Sequence, residues 1–272
     1  MRYALVDDVL TLPSPGLAGI CRGCGSRLIA RCGRRRVHHW AHYGERHCDS
    51  WWEPETDWHV AWKNRFPTAW QEIIAHDAET GEKHIADVYT AHGMTLEFQH
   101  SRLDPAEREA RERFHTNLVW VVDATRLKND LKRFVENADL MSRLQDWLFV
   151  VRDPRQCFPR DWLESSVPVF FDFRGTNDEA PNDSVHQLLW CLLPGRAAGQ
   201  AVVAAISRNA FVTAASQKSS IFAAAEIVAA VEEHLRLLAY RQQLAATRYV
   251  VVPRYGYAPK RFRSGRNKFR RF

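Results

Sequence analysis

Asp87, Glu97 and Gln99 carry the chemistry most readily read from this chain. They fall within His84 to Ser101, H-I-A-D-V-Y-T-A-H-G-M-T-L-E-F-Q-H-S, two β-like runs joined by Ala91-His92-Gly93. Side chains alternate along a strand, so Glu97, Gln99 and Ser101 share one face while Leu96 and Phe98 take the other. A hairpin closing near Gly93 sets Asp87 beside the polar face. Two converging carboxylates repel unless a hard cation lies between them, and Mg²⁺ is commonly held by one or two carboxylates plus substrate phosphate oxygens. The spacing therefore points to metal-dependent cleavage of a phosphodiester. The competing reading is a two-faced hairpin whose polar side is simply solvated.

The elements that must position these groups follow from pattern. From Pro54 to Phe66, Glu55, His59 and Lys63 stand at i, i+4 and i+8, one stripe of a helix that can face the hairpin. Trp58 and Trp62 form an adjacent apolar stripe toward the core. Ala69 to Ile74 reads as a first strand, with Glu72 either joining the site or capping the sheet edge. Asp104-Pro105-Ala106-Glu107 combines a good N-cap, a proline at the first helical position and a capping-box glutamate, so a helix starts there and runs to Thr116. Leu118 to Val122 is apolar and β-branched enough for a buried strand. The order is helix, three strands, helix, strand.

Four separated strings, Ile85-Ala86-Asp87-Val88, Leu96 to Ser101, Glu107 to Arg111 and Val119 to Val122, resemble the nuclease-like domain of the competence protein CoiA family, within the PD-(D/E)XK nuclease superfamily. The resemblance covers residues 18 to 125. It implies an αβββαβ core, Mg²⁺ or Mn²⁺ on Asp87 and Glu97, and DNA as substrate. It also implies site roles for Glu55, His59 and Lys63, whose spacing the family shares on the helix before the sheet. The superfamily's Glu-x-Lys is Glu97-Phe98-Gln99 here, a glutamine that CoiA-like proteins tend to carry. Glutamine supplies no positive charge, so either Lys63 or another cation substitutes or the fold has lost catalysis. Arg108 and Arg111 are candidate phosphate contacts, with a helix face mixed with Glu109 and Glu112 as the alternative.

Toward the N-terminus, Cys21-Arg22-Gly23-Cys24 forms a knuckle, followed by Cys32, His38-His39-Trp40-Ala41-His42 and His47-Cys48. Thiolates two residues apart, completed by a histidine and a further ligand, hold Zn²⁺ tetrahedrally. Cys21, Cys24, His42 and Cys48 are the expected set, with His39 as the alternative ligand. Six cysteines and no apolar leader suggest a reducing cytoplasm, where a metal explains the cluster better than disulfides do. Cys32, Cys157 and Cys191 read as small hydrophobes.

The chain of 272 residues has 46% hydrophobic content, which excludes wholesale disorder, and no apolar run long enough to span a bilayer. Its formal charge of +6 sits in one place. Lys260, Arg261, Arg263, Arg266, Lys268, Arg270 and Arg271 contribute seven basic residues with no acidic one, and the remainder holds 31 basic against 32 acidic residues. Phe262, Phe269 and Phe272 interleave with them, a composition suited to phosphates and unpaired bases. Further strands are expected at Leu148–Val151 and Val167–Phe173, a loop at Gly175–Asp183, and helices at 184–194 and Ser220–Ala246.

The expected architecture is α/β. A zinc knuckle spans residues 1–52, a restriction-endonuclease-like core with a mixed sheet 53–175, a helical extension 176–250 and a basic aromatic tail 251–272. The expected function is a cytoplasmic, divalent-metal-dependent deoxyribonuclease, acting in competence and recombination or in antiphage defence with a protein partner from such a system. The alternative is a catalytically inactive DNA-binding or adaptor protein on the same fold.

Overall fold

A computed structural model of the chain describes residues 1–44, 51, 53–77, 81–176 and 179–248. Five short strands come first: β1 (Ala4–Val6), β2 (Val9–Thr11), β3 (Ala18–Ile20), β4 (Arg27–Arg31) and β5 (His39–His42). They form an antiparallel sheet in the order β2-β1-β3-β4-β5, closed over Ala4, Cys21, Leu28 and Trp40.

The rest builds a mixed sheet. Helix α1 (Asp57–Lys63) leads into β6 (Gln71–His76), β7 (Lys83–Tyr89) and β8 (Thr95–Gln99); α2 (Pro105–Phe114) then leads into β9 (Leu118–Asp123). This is the expected order of helix, three strands, helix and strand. After α3 (Lys128–Glu136) come β10 (Met141–Gln145), β11 (Leu148–Val151), β12 (Val169–Asp172), the single turn α4 (Ser184–Gln187), β13 (Leu188–Leu192) and β14 (Ala201–Ser207). Two helices, α5 (Arg208–Gln217) and the long α6 (Ala224–Arg248), close the described chain. The strands line up as β10-β11-β14-β13-β12-β9-β8-β7-β6, nine among the described residues, with β8, β9 and β12 mutually parallel.

Residues 184–194 depart from expectation. Only Ser184–Gln187 is helical, and Leu188–Leu192 pairs on both sides as a central strand. Leu189 and Cys191 face one apolar cluster while Trp190 and Leu192 face the other. A run buried on both faces loses its alternation and cannot be told from a buried helix by periodicity. Consequently the sheet crosses the expected boundary at residue 175, and residues 188–207 belong to the same sheet as the hairpin.

Helix α1 is fixed to this second half of the sheet by a polar contact. Asp172, fully buried at the end of β12, accepts hydrogen bonds from the indole N–H groups of Trp58 and Trp62, each at 3.0 Å. It also accepts from the backbone of Arg174 at 3.0 Å and of Gly175 at 3.3 Å, and pairs with Arg208. The tryptophan stripe expected to be merely apolar is thus also a pair of donors. Asp172→Ala should lower unfolding stability in urea by about 3–5 kcal/mol, because it strands a half-buried guanidinium and two indoles; a loss under 1 kcal/mol would show that the tie is dispensable.

Candidate functional site

Register sets a row of carboxylates across three strands. Val88 faces Leu96 between β7 and β8, and Gln71 faces Val88 and Ile73 faces Ala86 between β6 and β7. Glu72, Asp87 and Glu97 therefore stand side by side on adjacent strands. The turn expected near Gly93 is present, with Gly93 at φ +77° and Thr90 N–H donating to Met94 O at 2.9 Å. Like charges directly opposite in a sheet are destabilising, and all three are at least half-buried.

Lys63 answers them. Its ammonium lies 3.0 Å from Asp87, 3.4 Å from Glu72 and 3.0 Å from Glu55. Burial alone would lower the Lys63 pKa, but Asp87, Glu72 and Glu55 outweigh it and hold the value well above that of an ordinary lysine. Burial pushes Glu72 and Asp87 upward, and Lys63 reverses this in both. Glu55 precedes α1 rather than lying on it, since Thr56 is the N-cap. The expected three-residue stripe is thus a loop residue and two helical ones, brought together all the same. Glu55 Oε1 is met by the Lys63 ammonium at 3.0 Å, while its Oε2 is buried without a hydrogen-bond partner among the described residues.

A cavity of about 60 Å³ opens here, lined by Glu53, Glu55, Glu72, Asp87 and Glu97 together with Lys63, Arg111, His59, His84 and His115. Among the described lining residues, five carboxylates meet Lys63, Arg111 and the chain's α-amino group at Met1. Arg111 Nη1 pairs with Glu97 at 3.4 Å, and its Nη2 donates to Glu107 and to Trp51 O, each at 2.5 Å. Arg108, by contrast, is buried against Glu112 at 2.7 Å and does not line the cavity. Glu112 in turn accepts from Ser165, Ser166 and Trp120, so Arg108 is walled into the interior and withdrawn from any incoming phosphate. Glu107 pairs with Arg111 in place of completing a capping box.

His59 completes a capping box with Thr56, whose backbone N–H donates to His59 Nδ1 at 3.2 Å. Nδ1 is therefore the unprotonated nitrogen, Nε2 carries the hydrogen, and the ring has a hydrogen bond to the Phe98 backbone, with Glu53 Oε1 4.0 Å from Nε2. Burial lowers the His59 pKa to about 4. Burial raises that of Glu53.

Gln99 does not line the cavity. Its amide donates to Glu53 at 2.6 Å and to Ser101 O at 3.2 Å, while Ser101 N–H donates to the other Glu53 oxygen. Gln99 thus holds Glu53 in place through its amide nitrogen. Glu53 was not anticipated from sequence; nothing distinguishes it from the neighbouring acidic residues except this contact across 46 residues. Beyond Ser101 a second cavity of about 550 Å³ is lined by Arg102, Arg126, Arg133, Arg155 and Arg160 among others.

In the small sheet, Cys21, Cys24 and His42 bring their ligand atoms within 4.8 Å of one another. This group can hold a metal such as zinc. Gly25, at φ +71°, turns the knuckle so that its N–H donates to Cys21 O at 2.9 Å. His39 is an odd number of residues from His42 on one strand, so it faces away, with its Nδ1 against Val37 O. Strand parity removes it as a ligand. Cys48 lies outside the described residues, as do Lys260, Arg261, Arg263, Arg266, Lys268, Arg270 and Arg271. Cys157 and Cys191 are buried as expected, whereas Cys32 is half-exposed.

Comparison of the chain with family models, with curated proteins and with solved structures yields no match. Among the described residues no helix is long and apolar enough to cross a membrane.

Metal analysis of the purified protein should find one zinc per chain, and Cys21→Ser with Cys24→Ser should remove it and lower thermal stability, since structural zinc contributes folding energy directly. Unchanged zinc content would refute the assignment. A depressed histidine pKa means that stability is fully present above the unfolded value of about 6.5 and is lost as pH falls toward 4. His59→Gln keeps a capping-box acceptor and removes the titration. Relative to this variant, wild type should lose of order 3 kcal/mol between pH 6.5 and 4, and parallel pH profiles would contradict it.

Proposed function

We propose that this chain is a divalent-metal-dependent deoxyribonuclease of the CoiA-like type, built on a PD-(D/E)XK core. The observation that carries the reading is the row of Glu72, Asp87 and Glu97 on adjacent strands with Lys63 reaching it from the preceding helix. The helix-strand order from α1 to β9 agrees with the αβββαβ core that the sequence motifs imply.

The donor set suits a hard cation. Among the described residues the site offers more carboxylates than cations, and Glu55 Oε2 is buried there without a hydrogen-bond partner. Asp87 and Glu97 are the two residues to hold Mg²⁺ or Mn²⁺, in keeping with the one or two carboxylates that magnesium usually takes. When bound, such an ion lowers the pKa of a coordinated water and neutralises charge developing on the phosphate.

The remaining roles follow from the chain's own groups. Lys63 stays an ammonium across the physiological range, which makes it a source of positive charge beside the phosphate and unsuitable as a base. It thereby supplies what Gln99 cannot. Phe98 N–H donates to Asp87 Oδ2 at 3.0 Å and Arg111 engages Glu97, so each carboxylate is aimed. His59 is held beside Asp87 by its bonds to Thr56 and to the Phe98 backbone. The arginine-lined cavity beyond Ser101 offers a path for the strand, and the basic tail adds attraction to it. The setting implied by the resemblance is processing of DNA in competence and recombination or in antiphage defence, alongside a protein partner, in the cytoplasm.

A second reading has its own observation. Lys63 already occupies the space among three carboxylates, and Gln99 is turned onto Glu53, which is what a DNA-binding or adaptor protein that has lost catalysis would show. Cleavage separates the two. With Mg²⁺ or Mn²⁺, wild-type protein should cut at least one of circular and linear, single- and double-stranded DNA. Asp87→Ala and Glu97→Ala should each reduce the rate by a factor of about 10³ or more while leaving DNA affinity within a few-fold, and Lys63→Ala should cost of order 10². No cleavage on any substrate would leave the adaptor reading standing.

A further inference from the structure

Arg108, Arg111 and Arg208 each meet a carboxylate. Among the described residues Arg65 and Arg174 pair with none. Both are half-buried, and both border a cavity of about 590 Å³ on the flank of α1. Its walls are Ala61 of α1 and Arg65 just past that helix's C-cap, the turn Arg174–Thr176 after β12, Gln187 and Leu188, and the start of α5 at Ser207, Arg208 and Asn209. Three guanidinium groups line it and no aspartate or glutamate among the described residues does.

The partners of Arg65 and Arg174 are neutral amides. Arg65 Nη2 donates to Asn209 Oδ1 at 2.5 Å, and Arg174 Nη1 to Gln187 Oε1 at 3.3 Å. Arg208 spends one nitrogen on Asp172 and on Gly175 O, while its buried Nε has no hydrogen-bond partner. The Trp62 ring is flanked by Arg65 at 5.5 Å and Arg208 at 5.6 Å from its centroid. Burial lowers the Arg65 pKa, and the nearby Arg208 and Arg174 add to it against the opposing pull of Asp172. Helix α5, ten residues long, begins at the same wall; Ser207 caps Ala210 N–H, and the first-turn amides that remain have no partner within the helix. Like charges gathered at a helix N-terminus form an arrangement that an anion completes.

We propose that this cavity binds a phosphate group, with Arg65 and Arg174 as its ligands and the start of α5 behind it. Guanidinium forks match phosphate oxygens in geometry and charge. Asn209 and Gln187 hold the two forks in place and give way without leaving a buried carboxylate unpaired. The volume is that of a site for a small molecule of nucleotide size. Two sources share this chemistry, a free nucleotide and the backbone of a nucleic-acid strand. The proposal does not involve Asp87 or Glu97 and stands apart from the nuclease reading.

The test is calorimetric titration and thermal shift of the full chain with inorganic phosphate, a nucleoside triphosphate and a short single-stranded oligonucleotide, at matched ionic strength. Wild type is compared with Arg65→Gln/Arg174→Gln, with Arg174→Gln alone, and with Arg34→Gln/Arg35→Gln, which removes the same charge from two exposed arginines that do not line the cavity. The double variant should bind at least about a hundredfold more weakly, the single variant about tenfold, and the Arg34/Arg35 variant within a few-fold of wild type. Binding of the triphosphate or of inorganic phosphate assigns a free ligand; binding of the oligonucleotide alone assigns a strand. Failure of all three probes to bind wild type, or equal affinity in the wild type and the folded Arg174→Gln variant, would overturn the proposal whatever the outcome of the cleavage assay.

Discussion

The Lys63 ammonium is the constraint around which the site is organised. A row of carboxylates on adjacent strands repels itself, and burying it raises the cost further. One cation within 3.0–3.4 Å of Glu55, Glu72 and Asp87 makes the row tolerable. That cation stays in place only if α1 does. The helix is fixed by its Thr56–His59 capping box at one end and by the two indole contacts to Asp172 along its inner face. A buried carboxylate far along the sequence therefore sets the geometry of the carboxylates in the hairpin.

Glu72 carries the constraint into the small sheet. Its backbone adopts φ +50°, a left-handed conformation that costs a non-glycine residue of order 1 kcal/mol. The strain is held by surrounding contacts: Arg2 N–H at 2.6 Å and Tyr3 N–H at 3.1 Å bind its carboxylate, and Lys63 binds it from the other side. Met1 O accepts from Trp40 N–H at 2.9 Å in β5, the strand that ends in His42. The sheet with the cysteine-histidine group and the carboxylate row are thus joined through three residues.

Electrostatic asymmetry runs through the molecule. Among the described residues the central cavity has more carboxylates than cations, the cavity beyond Ser101 has five arginines against three aspartates, and the one beside Arg65 and Arg174 has no acidic lining residue. An acidic centre flanked by basic walls suits a cation at the centre and phosphates around it.

Local pattern alone determined the hairpin, the helix start at Pro105, the cysteine knuckle and the spacing of His59 and Lys63, because each rests on contacts within about ten residues and on strict periodicity. It also left Arg108 and Arg111 indistinguishable, two basic residues one turn apart. Only the tertiary structure separated them, burying the first against Glu112 and aiming the second at Glu97. It likewise decided that Gln99 serves Glu53, that His39 faces away from the metal group, and that residues 188–207 lie in the middle of the sheet. Asp172 had no sequence signal at all, since a single acidic residue at a strand end is identified only by what folds onto it. The physical reason is common to all of these: side-chain parity and helix caps are local, whereas the pairing of a buried charge is a property of distant segments meeting.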